Sequence, residues 1–193
     1  ITSLLAGYSC YRFANSDHHF ADFGVFRDNQ SLMLEIRKAN ETDKEEVWKI
    51  IQAVISTGDS YTFAPDSPKE KMLGFWFGED KETYVAVLDK QILGTFFLKA
   101  NQPDLGSHIC NAGYMVSPEA KGKGIGRKMA EFSLPEAKRL GFKAMQFNFV
   151  VKSNEIAVKL WRKLGFEIIG EIPEAFQHNE KGLVNALIMY RKL

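Results

Sequence analysis

Three glycines at alternate positions form the clearest chemical signal in this sequence, in the run VSPEAKGKGIGRKM that begins at Val116. They are Gly122, Gly124 and Gly126, and a helical pattern follows them directly. A helix N-terminus presents unpaired N–H groups and partial positive charge, and glycine lets a phosphate approach the backbone. The order strand, glycine loop, basic residues and helix favours a diphosphate site over a turn that only joins two elements.

Two other phosphate-binding loops are excluded by the residues present. A Walker A loop needs Ser or Thr after Gly-Lys, whereas Gly126 is followed by Arg127 and Lys128. A dinucleotide loop has the spacing G-x-G-x-x-G after the first strand of a parallel sheet, with an acid at the end of the next strand. Here the spacing is G-x-G-x-G, past the midpoint of the chain, and the next strand ends in NFVVKSN. Neither nucleoside triphosphate hydrolysis nor dinucleotide binding is expected.

The elements that must position this loop follow an alternating pattern. Strand-like segments are LEIRK, TYVAVL, ILGTFFLKA, ICNAGYMV, AMQFNFVV, FEIIGE and LVNALIMY, and helical patterns cover NETDKEEVWKIIQAVIS and residues 67–76, 125–140 and 154–164. Their order predicts an α/β fold: a mixed, mostly antiparallel sheet of about seven strands with flanking helices. A βαβ crossover centres on the glycine loop.

Local signals predict the ends of the helices. Thr42 with Glu45 is typical of a capping box, and Ser67 before Pro68 is typical of an N-cap. Pro135 removes a backbone donor inside a helix and predicts a kink. The glycines that mark helix C-termini are Gly141 and Gly165.

Composition limits the partners of the protein. Lys and Arg number 25 against 24 Asp and Glu, so no overall field attracts nucleic acid or an acidic membrane. No apolar run approaches the roughly 18 residues that span a bilayer, and the first residues do not resemble a signal peptide. Cys10 and Cys110 lack metal-ligand spacing and fit a reducing compartment. We expect a cytoplasmic protein with no nucleic-acid, membrane or metal partner.

The chain is long enough for one domain with a substantial core, since its 193 residues are 45% hydrophobic. Met33 directly precedes the first clear strand. Residues 33–193 are therefore predicted to form the domain, and residues 1–32 an N-terminal extension whose origin the sequence does not indicate.

Residues 34–193 resemble the GNAT superfamily of acetyl-CoA-dependent N-acetyltransferases. The run YMVSPEAKGKGIGRKM is similar to its first cofactor motif, Arg or Gln, two residues, Gly, one residue, Gly or Ala, with lysine at the first position. The run SNEIAVKLWRKLGFE is similar to its later motif. The matching residues are Lys121, Gly124 and Gly126, then Asn154, Ala157, Gly165 and Phe166. The resemblance implies a GNAT fold with a splayed central strand pair and acetyl-CoA as cosubstrate.

The resemblance also implies how acetyl-CoA lies. Its pyrophosphate would rest on the glycine loop, its pantetheine would run beside the strand before that loop, and a backbone N–H near Met115 would polarise the thioester carbonyl. Asn154 would bind the pantetheine, serve as a helix N-cap, or do both. The implied cofactor-binding residues are Met115, Val116, Lys121, Gly122, Lys123, Gly124, Ile125, Gly126, Arg127 and Asn154.

The usual general acid of the family is missing, because Trp161 stands where many members have tyrosine. Tyr114, Tyr190 or water could protonate the leaving thiolate, or a thiolate of pKa near 8.5 could leave unprotonated. His108 and His178 are interpreted as surface or edge residues.

The acceptor is predicted to be the amine of a small metabolite. Asn111 and Asn148 interrupt the two apolar strands expected to splay apart, which favours a neutral polar pocket, or each amide satisfies nearby backbone. Asn148 is also a candidate for catalysis. Asp59 and Tyr61, in GDSYTFAP, are candidates to meet the amine, or are polar for solubility.

These surroundings are similar to a subgroup that acetylates proline analogues such as azetidine-2-carboxylate, which implies an amino or imino acid. The alternatives are a CoA-binding module without turnover and a peptide or protein acetyltransferase. A homodimer is possible, since small domains of this family are often dimers.

Overall fold

The computed structural model describes residues 24–27 and 33–193. The strands are β1 (Gly24–Arg27), β2 (Met33–Lys38), β3 (Lys81–Leu88), β4 (Gln91–Ala100), β5 (Ile109–Val116), β6 (Ala144–Val151), β7 (Glu167–His178) and β8 (Gly182–Lys192). The helices are α1 (Lys44–Ile55), α2 (Lys69–Trp76), α3 (Ile125–Arg139) and α4 (Glu155–Lys163). No helix in these two ranges is long and apolar enough to cross a membrane.

All eight strands belong to one sheet with the order β1-β2-β3-β4-β5-β6-β8-β7. Every neighbouring pair is antiparallel except β5 and β6, which are parallel and joined by α3. The predicted α/β class, the seven strands after residue 32 and the crossover at the glycine loop are confirmed. Strand β1 pairs with β2 and lies within the predicted N-terminal extension. The rest of that extension lies outside the described residues, and the division at residue 33 stays a prediction.

Two helices cover each face of the sheet. Adjacent strand residues point to opposite faces, so Phe96 packs into the core beneath α3 and α4 while Phe97 packs into the core beneath α1 and α2. The fully buried side chains of α1 and α2 include Ile51 and Trp76. The loop between α1 and α2 therefore lies over one face of the sheet, beside β4 and β5.

The first helical segment is capped differently from the prediction. Asn40 accepts from the backbone N–H of Thr42, and Asp43 accepts from the backbone N–H of Asn40, so the capping box starts two residues earlier and caps a 3-10 turn ahead of α1. Glu45 instead pairs with Lys69 of α2. The Thr42–Glu45 box was wrong because Asn40 offers the same chemistry two residues upstream.

The other predicted helix ends are at Ser67, Gly141 and Gly165. Ser67 is not an N-cap: its hydroxyl is buried without a hydrogen-bond partner, and α2 begins at Lys69 with Pro68 at the cap position. Gly141 and Gly165 end α3 and α4 with φ of 94° and 81°, as predicted. Helix α3 runs continuously through Pro135, so the kink stays a prediction.

Arg37 and Asp43 connect β2 to the start of α1. The guanidinium donates from Nη1 to Oδ2 at 2.7 Å and from Nη2 to Oδ1 at 2.9 Å, and the carboxylate is almost fully buried. The hydrogen bonds from Arg37 lower the pKa of Asp43, against the opposing effect of burial. A carboxylate whose pKa is lower when folded adds stability above its unfolded pKa of about 3.9, and this stability is lost as pH falls below that value.

We predict that Asp43→Asn lowers the free energy of unfolding at pH 7 by about 2 kcal/mol, because Arg37 stays desolvated without its counter-charge. Urea denaturation at pH 7 and at pH 3 measures the effect, which should shrink at pH 3 because Asp43 of the unfolded wild-type chain is protonated below its pKa of about 3.9 and must lose that proton on folding. Glu46→Gln is the control, since Glu46 forms an exposed pair with Lys49 and should change stability very little. Equal losses at both pH values would contradict the prediction.

Candidate active site

The central feature of the site is a gap between β5 and β6. Their pairing covers only Ile109 with Ala144 and Cys110 with Met145, after which the strands diverge. This divergence corresponds to the splayed pair implied by the resemblance. Because a strand carries polar groups on both edges, the gap exposes main-chain donors and acceptors of β5 that no neighbouring strand satisfies.

The alternation of β5 determines which of its groups face the gap. Ser117 donates to a β4 carbonyl at 2.8 Å, and the Ile109 carbonyl accepts from the residue after β4 at 2.8 Å. Alternate residues of a strand direct their main-chain groups to the same side, so odd-numbered residues from 109 to 117 face β4. The N–H and C=O of Ala112, Tyr114 and Val116 therefore face the gap. Of the amides near Met115, those of Tyr114 and Val116 can reach a thioester, whereas that of Met115 faces β4.

Asn111 closes the narrow end of the gap. Its side-chain N–H donates to the main-chain carbonyl of Gln146 at 2.9 Å, immediately beyond the last β5–β6 pair. The side chain thus replaces the ladder bond that the divergence removes. The structural alternative in which this amide satisfies neighbouring backbone is confirmed, and its second N–H and its oxygen leave capacity for a ligand.

A cavity of about 700 Å³ opens from this gap. Its walls contain nine of the residues predicted for binding or catalysis: Asp59, Tyr61, Asn111, Tyr114, Met115, Val116, Lys121, Asn148 and Asn154. The rest of the glycine loop, Gly122 to Arg127, continues beyond Lys121, and Tyr190 does not belong to the walls. Within the described residues, no group of three or more His, Cys, Asp or Glu side chains could hold a metal ion.

The glycine loop offers open space beside its backbone. Gly122 and Gly124 have φ of 80° and 72°, and a Cβ built on either would meet no heavy atom within 4 Å. The amides of Lys121 and Lys123 donate to carbonyls within the loop, at 3.2 and 3.1 Å. The backbone N–H groups that remain to bind a phosphate are therefore the other amides of the loop and those of the first turn of α3, from Ile125 to Arg127.

The basic side chains near the loop differ in availability. Lys121 and Lys123 are exposed, and Lys121 borders the cavity. Arg127 instead donates to Glu131 at 2.7 Å, one turn along α3. Its predicted contact with the pyrophosphate therefore competes with an existing ion pair.

Asn154 caps α4, as one of its two interpretations predicted. Its side-chain oxygen accepts from the N–H of Ala157 at 3.1 Å. The amide N–H groups remain for a ligand, because the cap uses only the oxygen and Asn154 lines the cavity. Contact with pantetheine stays a prediction.

The structure disfavours both tyrosines predicted as general acids. Tyr114 points into the core, its hydroxyl lies 2.6 Å from that of Ser133, and burial raises its pKa above the ordinary value. Tyr190 lies opposite Gln146 on β8, outside the cavity walls. Trp161 is buried against Phe147 and offers no acidic hydroxyl. Of the predicted routes for the leaving thiolate, protonation by water and departure without protonation remain.

Asn148 lies where the register of β6 and β8 shifts, at a β-bulge. Its oxygen accepts from Gln146 at 2.8 Å, and its nitrogen donates to Asn101 at 2.6 Å. Three amides thus form an exposed chain at the rim of the cavity. The second N–H of Asn148 is left for a ligand.

Tyr61 crosses from the α1–α2 loop into the gap. Its hydroxyl donates to the carbonyl of Tyr114 at 2.8 Å, one of the groups that face the gap. Desolvation raises the pKa of Tyr61, so this side chain serves as a neutral hydrogen-bonding group and not as a base. Its oxygen lone pairs stay available to an amine N–H.

Several residues of the cavity were not predicted from the sequence. Phe63, Phe75 and Phe97 form an aromatic wall, with ring centroids 5.0 Å apart for the first two and 5.8 Å for the last two. Gly113 underlies this wall, and a Cβ there would come within 2.7 Å of the Phe97 ring. A glycine inside a strand signals such close approach and could have been noticed. Ile156 is 80% exposed yet lines the cavity, and an apolar residue off the buried face of α4 is a comparable signal.

The comparisons with known proteins agree with this geometry. Residues 47–166 match the Acetyltransferase (GNAT) family, and the chain belongs to that family. A GCN5-related N-acetyltransferase from Kribbella flavida is 37% identical, with a TM-score of 0.79 over 83% of this chain and 98% of that one. The predicted family, fold and acetyl-CoA cosubstrate are thereby confirmed.

Two other relatives show how far the likeness extends. N-acetyltransferase aca1 of Schizosaccharomyces pombe is 43% identical over 98 residues, which are 50% of this chain and 47% of that protein. The chain thus spans about half the length of this relative. A phosphinothricin acetyltransferase from Sinorhizobium meliloti, solved in complex with AcCoA, is 21% identical with a TM-score of 0.73, over 82% of this chain and 87% of that one. At that identity the likeness concerns the fold alone.

We predict that Gly124→Val weakens acetyl-CoA binding at least about tenfold, because a branched side chain fills the space beside the phosphate donors. Gly141→Val is the matched control: it imposes a side chain on a left-handed residue at the other end of α3. Isothermal titration with CoA and thermal denaturation of both variants separate the two effects. If the two variants lost affinity equally, the phosphate would not lie on this loop.

Proposed function

We propose that the protein transfers acetyl from acetyl-CoA to the amine of a small amino or imino acid. The observation that carries this proposal is the composition of the cavity. Neutral amides and hydroxyls lie near the gap, one acidic residue, Asp59, lies in the loop between α1 and α2, and an aromatic wall lies beside them. These three features match a carboxylate, an amine and a compact apolar body.

The carboxylate of the acceptor is assigned to Asn111 and Asn148. Each amide nitrogen already donates one hydrogen bond within the protein, to Gln146 and to Asn101 respectively. These bonds orient the side chains and leave each nitrogen one N–H for the ligand. Two oriented neutral donors can bind an anion without burying a second charge.

The amine is assigned to the opposite side, near Asp59 and Tyr61. The carboxylate of Asp59 accepts from Thr57 at 2.7 Å and borders the cavity, where it attracts a protonated amine. The Tyr61 oxygen can accept from the neutral amine, because its own proton is committed to Tyr114. Aromatic faces add a favourable environment for an ammonium group before it loses its proton.

The proposed reaction is direct attack. The neutral amine nitrogen forms a bond to the thioester carbonyl carbon, and the C–S bond then breaks to release the CoA thiolate. The proton from the amine passes to Asp59 or water. The amide of Val116, which faces the gap, is placed to stabilise the negative charge that develops on the carbonyl oxygen.

A restricted acceptor panel tests the proposal. L-Proline, azetidine-2-carboxylate and other small amino acids are incubated with acetyl-CoA, alongside their methyl esters, and free thiol is measured. We expect turnover of one or more acids, with kcat/KM at least about tenfold lower for the matching ester because the carboxylate contacts are lost. Preference for a peptide N-terminus would instead favour the peptide acetyltransferase alternative.

A second candidate function is a CoA-binding module without turnover, favoured by Trp161 in place of the usual acid. It predicts tight CoA binding and no thiol release across a broad amine panel. Calorimetry with CoA, run beside the acceptor panel, separates this candidate from a protein that fails to bind the cosubstrate.

We predict that Asn148→Ala raises the acceptor KM about tenfold or more while CoA affinity stays unchanged, because one N–H to the carboxylate is lost. Asn148→Asp is the companion variant, since it keeps the shape and replaces the donor with a negative charge. It should raise KM at least as much. A lower KM in Asn148→Asp would mean that this residue binds the amine and not the carboxylate.

A further inference from the structure

The acceptor loop, residues 58–65 between α1 and α2, stands between two cavities. Tyr61, Thr62 and Phe63 line both the 700 Å³ cavity and a second one of about 500 Å³. The far wall of the second cavity is the end of β7 and its turn, residues 175–179. A loop with a cavity on each side has fewer packing contacts, so its position depends on the hydrogen bonds that hold it in place.

Two hydrogen bonds of this loop join it to distant parts of the chain. Tyr61 donates to the Tyr114 carbonyl in the gap, and at the start of the loop the carbonyl of Gly58 accepts from the N–H of Asn179 at 3.2 Å. Gly58 has φ of 62°, and a Cβ built on it would lie 3.3 Å from the Cβ of Asn179. The turn between β7 and β8 therefore meets the loop at close range.

His178 determines the shape of that turn. Its side chain is buried, with 7% of its surface exposed, so His178 is not a surface residue; it does lie on an edge strand, as the other interpretation predicted, because β7 ends the sheet. Its Nδ1 accepts from the backbone N–H groups of Glu180 and Lys181 at 3.1 and 3.4 Å. The ring packs edge-on against Phe176, with centroids 6.2 Å apart. Two N–H groups of the turn thus bind one nitrogen of the imidazole, which directs the intervening Asn179 toward Gly58.

We propose that His178 is a positioning residue for the acceptor site. It contacts neither substrate, and it acts through the turn, the Asn179–Gly58 bond and the acceptor loop that carries Asp59 and Tyr61. The inference rests on the proposed function, in which that loop binds the amine. It predicts that loss of the hydrogen-bond acceptor Nδ1 impairs use of the amine substrate. Binding of the cosubstrate should be spared, because the glycine loop does not line the second cavity.

Two substitutions isolate this acceptor atom. His178→Leu keeps an apolar side chain and removes the hydrogen-bond acceptor. His178→Asn keeps such an acceptor, because its side-chain oxygen lies at the same number of bonds from Cβ as Nδ1. For His178→Leu we expect the acceptor KM to rise about tenfold with CoA affinity within about twofold of wild type. His178→Asn should restore KM to within about twofold. If His178→Leu does not fold, His178→Gln, whose oxygen lies one bond further out, takes its place.

Hydrogen exchange supplies a readout that needs no acceptor. Peptides spanning residues 57–66 should exchange faster in His178→Leu than in wild type, with His178→Asn close to wild type. Unchanged exchange in His178→Leu, or equal effects of the two variants, overturns the inference whatever the acceptor proves to be. Faster exchange without turnover of any amine would leave the positioning role intact and reject the proposed function alone.

Discussion

The divergence of β5 from β6 after Cys110 is the constraint on which the site depends. A buried strand that loses its neighbour must satisfy its polar groups in another way. Two side chains do so here: the Asn111 amide donates to the first free carbonyl of β6, and the Tyr61 hydroxyl donates to a carbonyl of β5. The other main-chain groups of β5 on this side face the cavity. In the proposed function, the substrates bind at this interruption of the sheet and complete its hydrogen bonding.

This origin explains the neutral character of the reacting region. Groups near the gap are amides, a tyrosine of raised pKa and main-chain N–H, and the charged residues Asp59 and Lys121 also border the cavity. Cys110, at the last paired position, has its pKa raised to about 12 by burial, so it is an inert thiol in the core. A neutral, partly desolvated gap strengthens interactions with a developing oxyanion and favours an uncharged amine as nucleophile.

The two substrates depend on the fold in different ways. The diphosphate loop is local: its glycines, their left-handed conformations and the first turn of α3 are contiguous in the chain. The acceptor wall is assembled from distant parts, because α1 and α2 supply the loop while the β7–β8 turn supports it. In the proposed function, acceptor specificity can therefore change through a positioning residue such as His178, with the cosubstrate site unaffected.

The sequence by itself determined the features that depend on neighbours along the chain: the order of the elements, the glycine loop, the N-cap at Asn154, the ends at Gly141 and Gly165, and the family. It also identified nine residues of the cavity walls, because polar residues in apolar strands and a loop rich in aromatics are unusual. Only the tertiary structure decided the partners of those residues. The partners lie far apart in sequence: Asn111 with Gln146, Tyr61 with Tyr114, and Asn179 with Gly58. The hydrogen bonds between β4 and β5 likewise decided that the amide of Val116, and not that of Met115, faces the gap. Such contacts depend on register and topology, which local patterns do not encode.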